Sequence, residues 1–324
     1  SAASGDIQQQ WVRPAAREPA SPAVGSSTAA DVGRFAAARS QLLFDACLHA
    51  CGDRATAALW HAWCLAWHTV DAPAVPSSLV EWHLLCGGAQ WHSSSASRTA
   101  AFSGLRLFHS GDMIDYAASC VRAGARVGLL DMACASRAGG GFLKGSRAQE
   151  ERLCARSALF PRLCLYASDG HYPLVAGSAV AVRGVCLLRD SAFSAWSGVQ
   201  PNVDVIAAAA PRYPSEAAAR ADVQLETRLT DLWCAVLVAA ASSGVDVLVV
   251  SALGAGAYHN PPEVVARALV AALEQGCPAA CSFRAIIMAV VNDEHGHRGG
   301  GNVARMRRTL CWGGAPRLPV DGAE

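Results

Sequence analysis

Val127-Gly128-Leu129-Leu130-Asp131, followed downstream by Gly139-Gly140-Gly141-Phe142-Leu143-Lys144-Gly145-Ser146-Arg147-Ala148-Gln149-Glu150-Glu151, reads as a strand, a glycine loop and the opening of a helix. The short apolar run fits a strand buried on both faces. Three adjacent glycines let the backbone take positive φ and approach a ligand without side-chain interference. Ser146 and Gln149 have the Ser-x-x-Gln spacing of a capping box, which predicts a helix starting near Ser146 with Glu150 and Glu151 in its first turn, beside the loop.

A second junction has the same plan. Val247-Leu248-Val249-Val250-Ser251 leads through Ala252-Leu253-Gly254-Ala255-Gly256-Ala257-Tyr258-His259-Asn260 into Pro261-Pro262. Asn260 suits an N-cap and a proline the first helical position, and Val265, Leu269 and Leu273 supply an apolar stripe. Both loops would then offer free amides and a helix N-terminus to a phosphate at one edge of a sheet. One such loop alone usually means a simple turn, but two of a kind could clasp a diphosphate. Gly145 is followed by Ser146 and not by the lysine of a P-loop, and Gly254-Ala255-Gly256 lacks the third glycine of a dinucleotide fingerprint.

Around these junctions, β-like and helical runs alternate. Strands are expected at Leu105–Phe108, Arg126–Ala133, Gly184–Leu188, Val203–Ala207, Val245–Ser251 and Phe283–Val291, and helices at Asp112–Ala123, Ser146–Phe160, Ser215–Ser242 and Pro262–Gln275. The order implies a mixed or parallel central sheet covered by helices, with ligands at the strand carboxyl ends. Residues 1–30 read as a flexible Ser/Ala/Pro-rich tail and 31–100 as a helical accessory region, with a break at Gly52-Asp53. Residues 101–315 read as one catalytic domain.

Composition limits the alternatives. Apolar residues make up 52% of the 324 and charged residues 16%, so the chain folds. With 27 basic against 26 acidic side chains, no general field attracts nucleic acid, and sequence-specific nucleic-acid binding is not expected. Thirteen scattered cysteines resemble a reduced intracellular protein more than a disulfide scaffold. No apolar run approaches the roughly 20 residues of a membrane span, and the first residues lack a signal-peptide pattern. The expectation is a soluble protein of the cytoplasm or nucleus.

The triple glycine, seven intervening residues and Gln149-Glu150-Glu151 resemble the signature of the poly(ADP-ribose) glycohydrolases, in particular the microbial type. Later segments agree in order: Val205 to Pro211 resembles the family's strand ending in Ala-Pro, Gly254 to Pro261 its second phosphate loop, and Phe283 to Asp293 its final strand. The likeness covers about residues 100–295. It implies a macrodomain-like three-layer α/β/α sandwich with a mixed central sheet and an N-terminal helical extension. The implied activity is cleavage of the ribose–ribose O-glycosidic bonds of poly(ADP-ribose) attached to protein, without a cofactor. A hydrolase of single ADP-ribose units, including arginine-linked ones, and a non-catalytic ADP-ribose reader are the alternatives.

Glycosidic cleavage needs a carboxyl group that protonates the leaving oxygen and then activates water. The resemblance assigns this to Glu151, with Glu150 on the neighbouring ribose; successive helical residues point about 100° apart, so the two glutamates divide the work. It also implies substrate contacts from Asp131, Gly139, Gly140, Gly141, Phe142, Gln149, Gly254, Ala255, Gly256, Ala257 and Tyr258. Asp131 and Ala138 depart from the family's usual Asn and frequent Pro. An aspartate accepts hydrogen bonds as asparagine does but adds charge and cannot donate when ionised, which would favour a cationic leaving group.

Other clusters read as structural. A Gln-Glu-Glu run taken alone is a solvated helix face, and Asn260 reads as a cap before a ligand. Phe142 reads equally as ribose contact or core. Cys134 and Cys154 read as packing groups, Trp60, Trp63 and Trp67 as core, and Arg305, Arg307 and Arg308 as a solvated face. His295 with His297, Cys47 with Cys51 and Cys277 with Cys281 do not complete a ligand set, so no metal is expected.

Overall fold

A computed structural model describes residues 40–48, 54–66, 89–92, 102–274, 277–291 and 301–314. The expected tail, Trp67, Cys51, His295 and His297 lie outside these residues, as do the side chains of Trp60 and Trp63.

Residues 40–48 are helical and α1 spans Arg54–Ala66, on either side of the Gly52-Asp53 break. The strands are β1 (Ala89–His92), β2 (Leu105–Ser110), β3 (Val127–Met132), β4 (Ser178–Cys186), β5 (Asn202–Ala208), β6 (Val247–Val250), β7 (Ala285–Val290) and β8 (Gly313–Gly314). The remaining helices are α2 (Met113–Arg122), α3 (Gln149–Arg156), α4 (Leu159–Tyr166), α5 (Glu216–Ala221), α6 (Leu225–Ser242), α7 (Pro262–Glu274) and α8 (Gly301–Leu310).

The strand order is β1-β4-β5-β3-β6-β7-β2-β8. From β5 to β8 every pairing is parallel, while β4 runs antiparallel to both β1 and β5. The strands β3, β6 and β7 are apolar runs buried almost throughout, as central strands covered on both faces must be. Helix α2 packs on β3, β5 and β6, and α6 on β1, β4 and β5, giving the three-layer macrodomain-like sandwich. The parallel strands β5, β3 and β6 end on the same side, so the loops after Ala208, Met132 and Val250 share one edge.

The differences from the expected elements have long-range causes. The helix expected over Ser146–Phe160 breaks at Ser157, whose extended backbone bridges to Leu187 while Arg156 O accepts the Leu188 N–H at 2.8 Å. The helix expected over Ser215–Ser242 splits at Asp222, whose carboxylate accepts from the Tyr213 hydroxyl and from Arg228. Strand β4 begins earlier than expected, and a bulge near Gly184 separates its two halves. Strand β1 lies within the stretch read as helical, yet it pairs along β4 and belongs to the sheet. Arg305 is no solvated residue: it pairs with Glu216 of α5 and Glu263 of α7, which fastens α8 to both.

The accessory helices sit against α4. Cys64 is wholly buried beside Cys47 and Cys164, and Arg189 pairs with Asp45. Arg156, 2% exposed, joins the end of α3 to α2 through Asp112 (2.8 Å) and Asp115. Removing one partner of such a buried pair costs about 3–5 kcal/mol, so α3 is held firmly at its far end.

Candidate active site

The site begins where β3 outlasts one of its neighbours. Pairing with β5 continues to Met132, but pairing with β6 stops at Leu129. The backbone groups of Leu130 and Met132 that face β6 are therefore without a strand partner. The Gln149 amide satisfies both: its Oε1 accepts the Met132 N–H at 2.7 Å and its Nε2 donates to Leu130 O at 2.9 Å. This corrects the capping-box reading. The N-cap is Ala148, with no side-chain cap, while the Ser146 N–H donates to Gly141 O at 3.1 Å and closes the loop.

With Gln149 tied to β3, the next two residues turn under the triple glycine. Glu150 Oε2 accepts the Cys134 N–H at 2.8 Å, and Glu151 Oε1 accepts the Gly141 N–H at 2.8 Å. The two carboxylates thus reach opposite stretches of one loop, as the angle between successive helical residues requires. Gly140 has φ +56°, and a Cβ there would lie 2.6 Å from Glu151 Oε1 and 2.7 Å from Glu150 Oε2. Only glycine allows this approach.

Three carboxyl groups converge here. Asp131 is 0%, Glu150 2% and Glu151 8% exposed. Both oxygens of Asp131, Oε1 of Glu150, Oε2 of Glu151 and the Tyr172 hydroxyl are buried without a hydrogen-bond partner. Among the described residues, none of the three pairs with an arginine or lysine. Burial, then the charges of Glu151 and Cys134, push the Asp131 carboxyl well above the usual range. Burial and Asp131 raise Glu150, and the Cys134 N–H opposes them. Burial and the same carboxylates raise the Tyr172 hydroxyl and the Cys154 thiol.

The second loop is built on an amide. Asn260, 1% exposed, donates through Nδ2 to Pro211 O at 2.8 Å and to Gly254 O at 3.0 Å. It staples this loop to the one after β5, where the sequence had read a helix cap. Ala255 is buried, Gly254 and Gly256 are partly exposed and Ala257 is exposed. Tyr258 bridges the loops, because its hydroxyl meets the Cys134 thiol and the Arg212 guanidinium lies 5.8 Å from its ring centre. Burial alone would raise the Cys134 thiol, but the Ser136 hydroxyl, the Ser136 and Arg137 amides and Tyr258 together hold it below the usual range.

The structure therefore brings Asp131, Gly139, Gly140, Gly141, Glu150, Glu151 and Tyr258 to one edge. Phe142 is 1% exposed and packs at a tilt on Phe160 with centres 4.9 Å apart, a core contact. The Gln149 amide is occupied by β3. Tyr172 and the bridging role of Cys134 were not read from sequence; neither lies in a motif, and only the fold carries them to the carboxylates. Among the described residues, no group of three or more His, Cys, Asp or Glu could hold a metal ion.

Residues 91–177 match the profile described as the microbial-type PARG catalytic domain, where PARG denotes poly(ADP-ribose) glycohydrolase. Over this segment the chain is similar to the microbial-type PARG family. That family consists of glycoside hydrolases, and solved structures share the likeness. The Deinococcus radiodurans PARG in complex with ADP-ribose is 25% identical, with a TM-score of 0.57 over 73% of this chain and 98% of that one. A mutant of Thermomonospora curvata PARG is 26% identical, with a TM-score of 0.55 over 64% and 79%. Another structure of the T. curvata PARG, at 23% identity, covers 78% of this chain and 98% of its own with a TM-score of 0.57. No curated protein matches the chain.

Proposed function

We propose that this chain is a poly(ADP-ribose) glycohydrolase that hydrolyses the ribose–ribose bonds of protein-attached poly(ADP-ribose) and releases ADP-ribose. The observation that carries the reading is the placement of Glu150 and Glu151, each with one oxygen held by a loop amide and one unpartnered. The ADP-ribose bound to the D. radiodurans enzyme supports the ligand class.

In this reading Glu151 gives its proton to the bridging oxygen as the bond to the ribose anomeric carbon breaks through an oxocarbenium-like state. Water adds to that carbon and its proton returns to Glu151, so one water is consumed and two hydroxyls form. Glu150 accepts a hydrogen bond from the adjoining ribose. The loops at Gly139–Gly141 and Gly254–Gly256, with Ala255, Ala257 and Tyr258, hold the diphosphate and the sugar. Their amides supply the anion site that a net charge of +1 does not. Residues 101–315 form the catalytic unit, the described helices at 40–48 and 54–66 pack beside it, and β1 adds an edge strand to its sheet.

The test offers the protein poly(ADP-ribose) and proteins carrying single arginine-linked or acidic-residue-linked ADP-ribose, and assays released ADP-ribose. Release from polymer is expected. Glu151→Gln should bind ADP-ribose with turnover reduced by about 10²–10⁴, the usual share of a general acid–base group. An undiminished rate would overturn the role of Glu151, and release from single units alone would overturn the polymer reading.

A further inference from the structure

The proposed reaction uses neither Cys234 nor Cys277, which stand 43 residues apart in the chain and meet in the fold. Cys234 lies within α6, and Cys277 opens the short 3-10 turn Pro278–Ser282, which packs on that helix and leads into β7. Cys277 Sγ is 3.9 Å from the Cys234 carbonyl oxygen, and the two side chains are hydrogen-bonded to each other. Both are free thiols in this structure.

The two partners are not equivalent. The Cys234 S–H and the amides of Ala279 and Ala280 point at the Cys277 sulfur and hold its thiol below the ordinary range, although burial opposes them. The hydrogen bond to Cys277, and then burial, raise the Cys234 thiol. One sulfur is thus suited to attack as a thiolate, and the other to keep its proton until a leaving group needs it. Cys234 is partly exposed, so the pair opens to solvent. Cys47, Cys64 and Cys164 form another group of touching thiols, but all three are 0% exposed and burial raises Cys64 well above its usual range. Contact between thiols is common to both groups, and of the two only the Cys234 and Cys277 pair combines it with access to solvent.

We propose that Cys234 and Cys277 are a hydroperoxide-reactive dithiol that closes reversibly to a disulfide. With hydrogen peroxide as the oxidant, the Cys277 thiolate attacks one peroxide oxygen. An S–O bond forms, the O–O bond breaks, and hydroxide leaves with the proton that the thiol gave up, as water. The Cys234 sulfur then attacks the Cys277 sulfenic acid. The S–S bond forms, the S–O bond breaks, and the hydroxyl departs with the Cys234 proton as a second water. Two thiols lose two electrons and two protons, and one peroxide becomes two waters. The new bond joins the ends of the segment that holds β6, the Gly254 loop and α7. A cross-link of this kind restricts the unfolded chain, so the oxidised protein is the more stable form.

The test treats the reduced whole chain with a small excess of hydrogen peroxide, blocks the remaining thiols and maps the peptides without reduction. The expected result is one main cross-linked peptide pair, Cys234 with Cys277, that dithiothreitol separates. In Cys234→Ser the sulfenic acid has no partner, and dimedone should mark Cys277. The oxidised wild type should melt a few degrees above the reduced form, and Cys234→Ser should show no such rise. Survival of both thiols in peroxide, or a main bond from Cys277 to Cys281, overturns the proposal. Dimedone on Cys234 in Cys277→Ser, as fast as on Cys277 in Cys234→Ser, overturns the assignment of the attacking sulfur. A bond that forms without raising the melting point overturns the stabilising role. The peptide map needs no variant, so it decides the central point even if a substitution fails to fold.

Discussion

At Gly140 an added methyl group would meet two carboxylate oxygens, whereas at Gly254 it would meet the Asn260 amide nitrogen at 2.4 Å and the Ala210 methyl at 2.6 Å. Both glycines have positive φ, and both lie in loops that follow parallel strands of the same mixed sheet. One loop is packed against acids, the other against a neutral staple. Two loops of the same backbone design thus carry different duties. In the proposed reaction the first surrounds the bond-breaking group with unpartnered carboxylate oxygens, and the second is held in shape by the hydrogen bonds that the Asn260 amide donates, while its Oδ1 stays unpartnered. A glycine loop therefore says where a ligand's phosphates can rest, and its neighbours say whether chemistry follows.

The largest expected effect that breaks the comparison is the loss of turnover in Glu151→Gln, because no group at the second loop can replace a proton donor there. Gly140→Ala comes next. Its left-handed φ costs about 1–2 kcal/mol with any Cβ, and its methyl displaces both glutamates, so turnover should fall at least about tenfold while the melting point falls modestly. In Gly254→Ala the order should be reversed. The methyl strikes Ala210 and the Asn260 staple, so stability falls first, and the residual folded protein keeps a measurable rate. Parallel melting curves and turnover assays on the two variants check this, and equal ratios of rate loss to stability loss would erase the distinction.

The smallest effect is a pH slope. The folded chain holds protons on Asp131 and Glu150 that the unfolded chain releases in the ordinary carboxylate range. Their contribution to stability is complete below that range and is lost as pH rises through the raised folded values. Asp131→Asn should flatten this decline and raise the melting point at neutral pH, because the amide takes up no proton on folding. A steeper slope in the variant would contradict the raised Asp131 carboxyl.

The strands β3, β6 and β7 and the helices α2 and α7 were legible because continuous apolar runs and helical stripes are local signals. The break at Ser157 was not, since its cause is Leu187, brought alongside by the chain after β4. Gln149 and Asn260 were both read as caps because spacing reveals only near neighbours, while their partners are Leu130, Met132 and Pro211. The two glutamates were legible through their motif. The crowding of Asp131, Tyr172 and Cys134 around them was not, because it depends on which strand ends where.

Gln149 has a further consequence through the place it fills. By standing in for the peptide group that β6 does not supply, it makes the first residue of α3 a rung of the sheet's ladder. The glutamates that follow it inherit the stiffness of a central strand instead of the fraying of a helix end. Orientation of the reacting groups is then built before any ligand arrives, and the energy of binding need not be spent on arranging them.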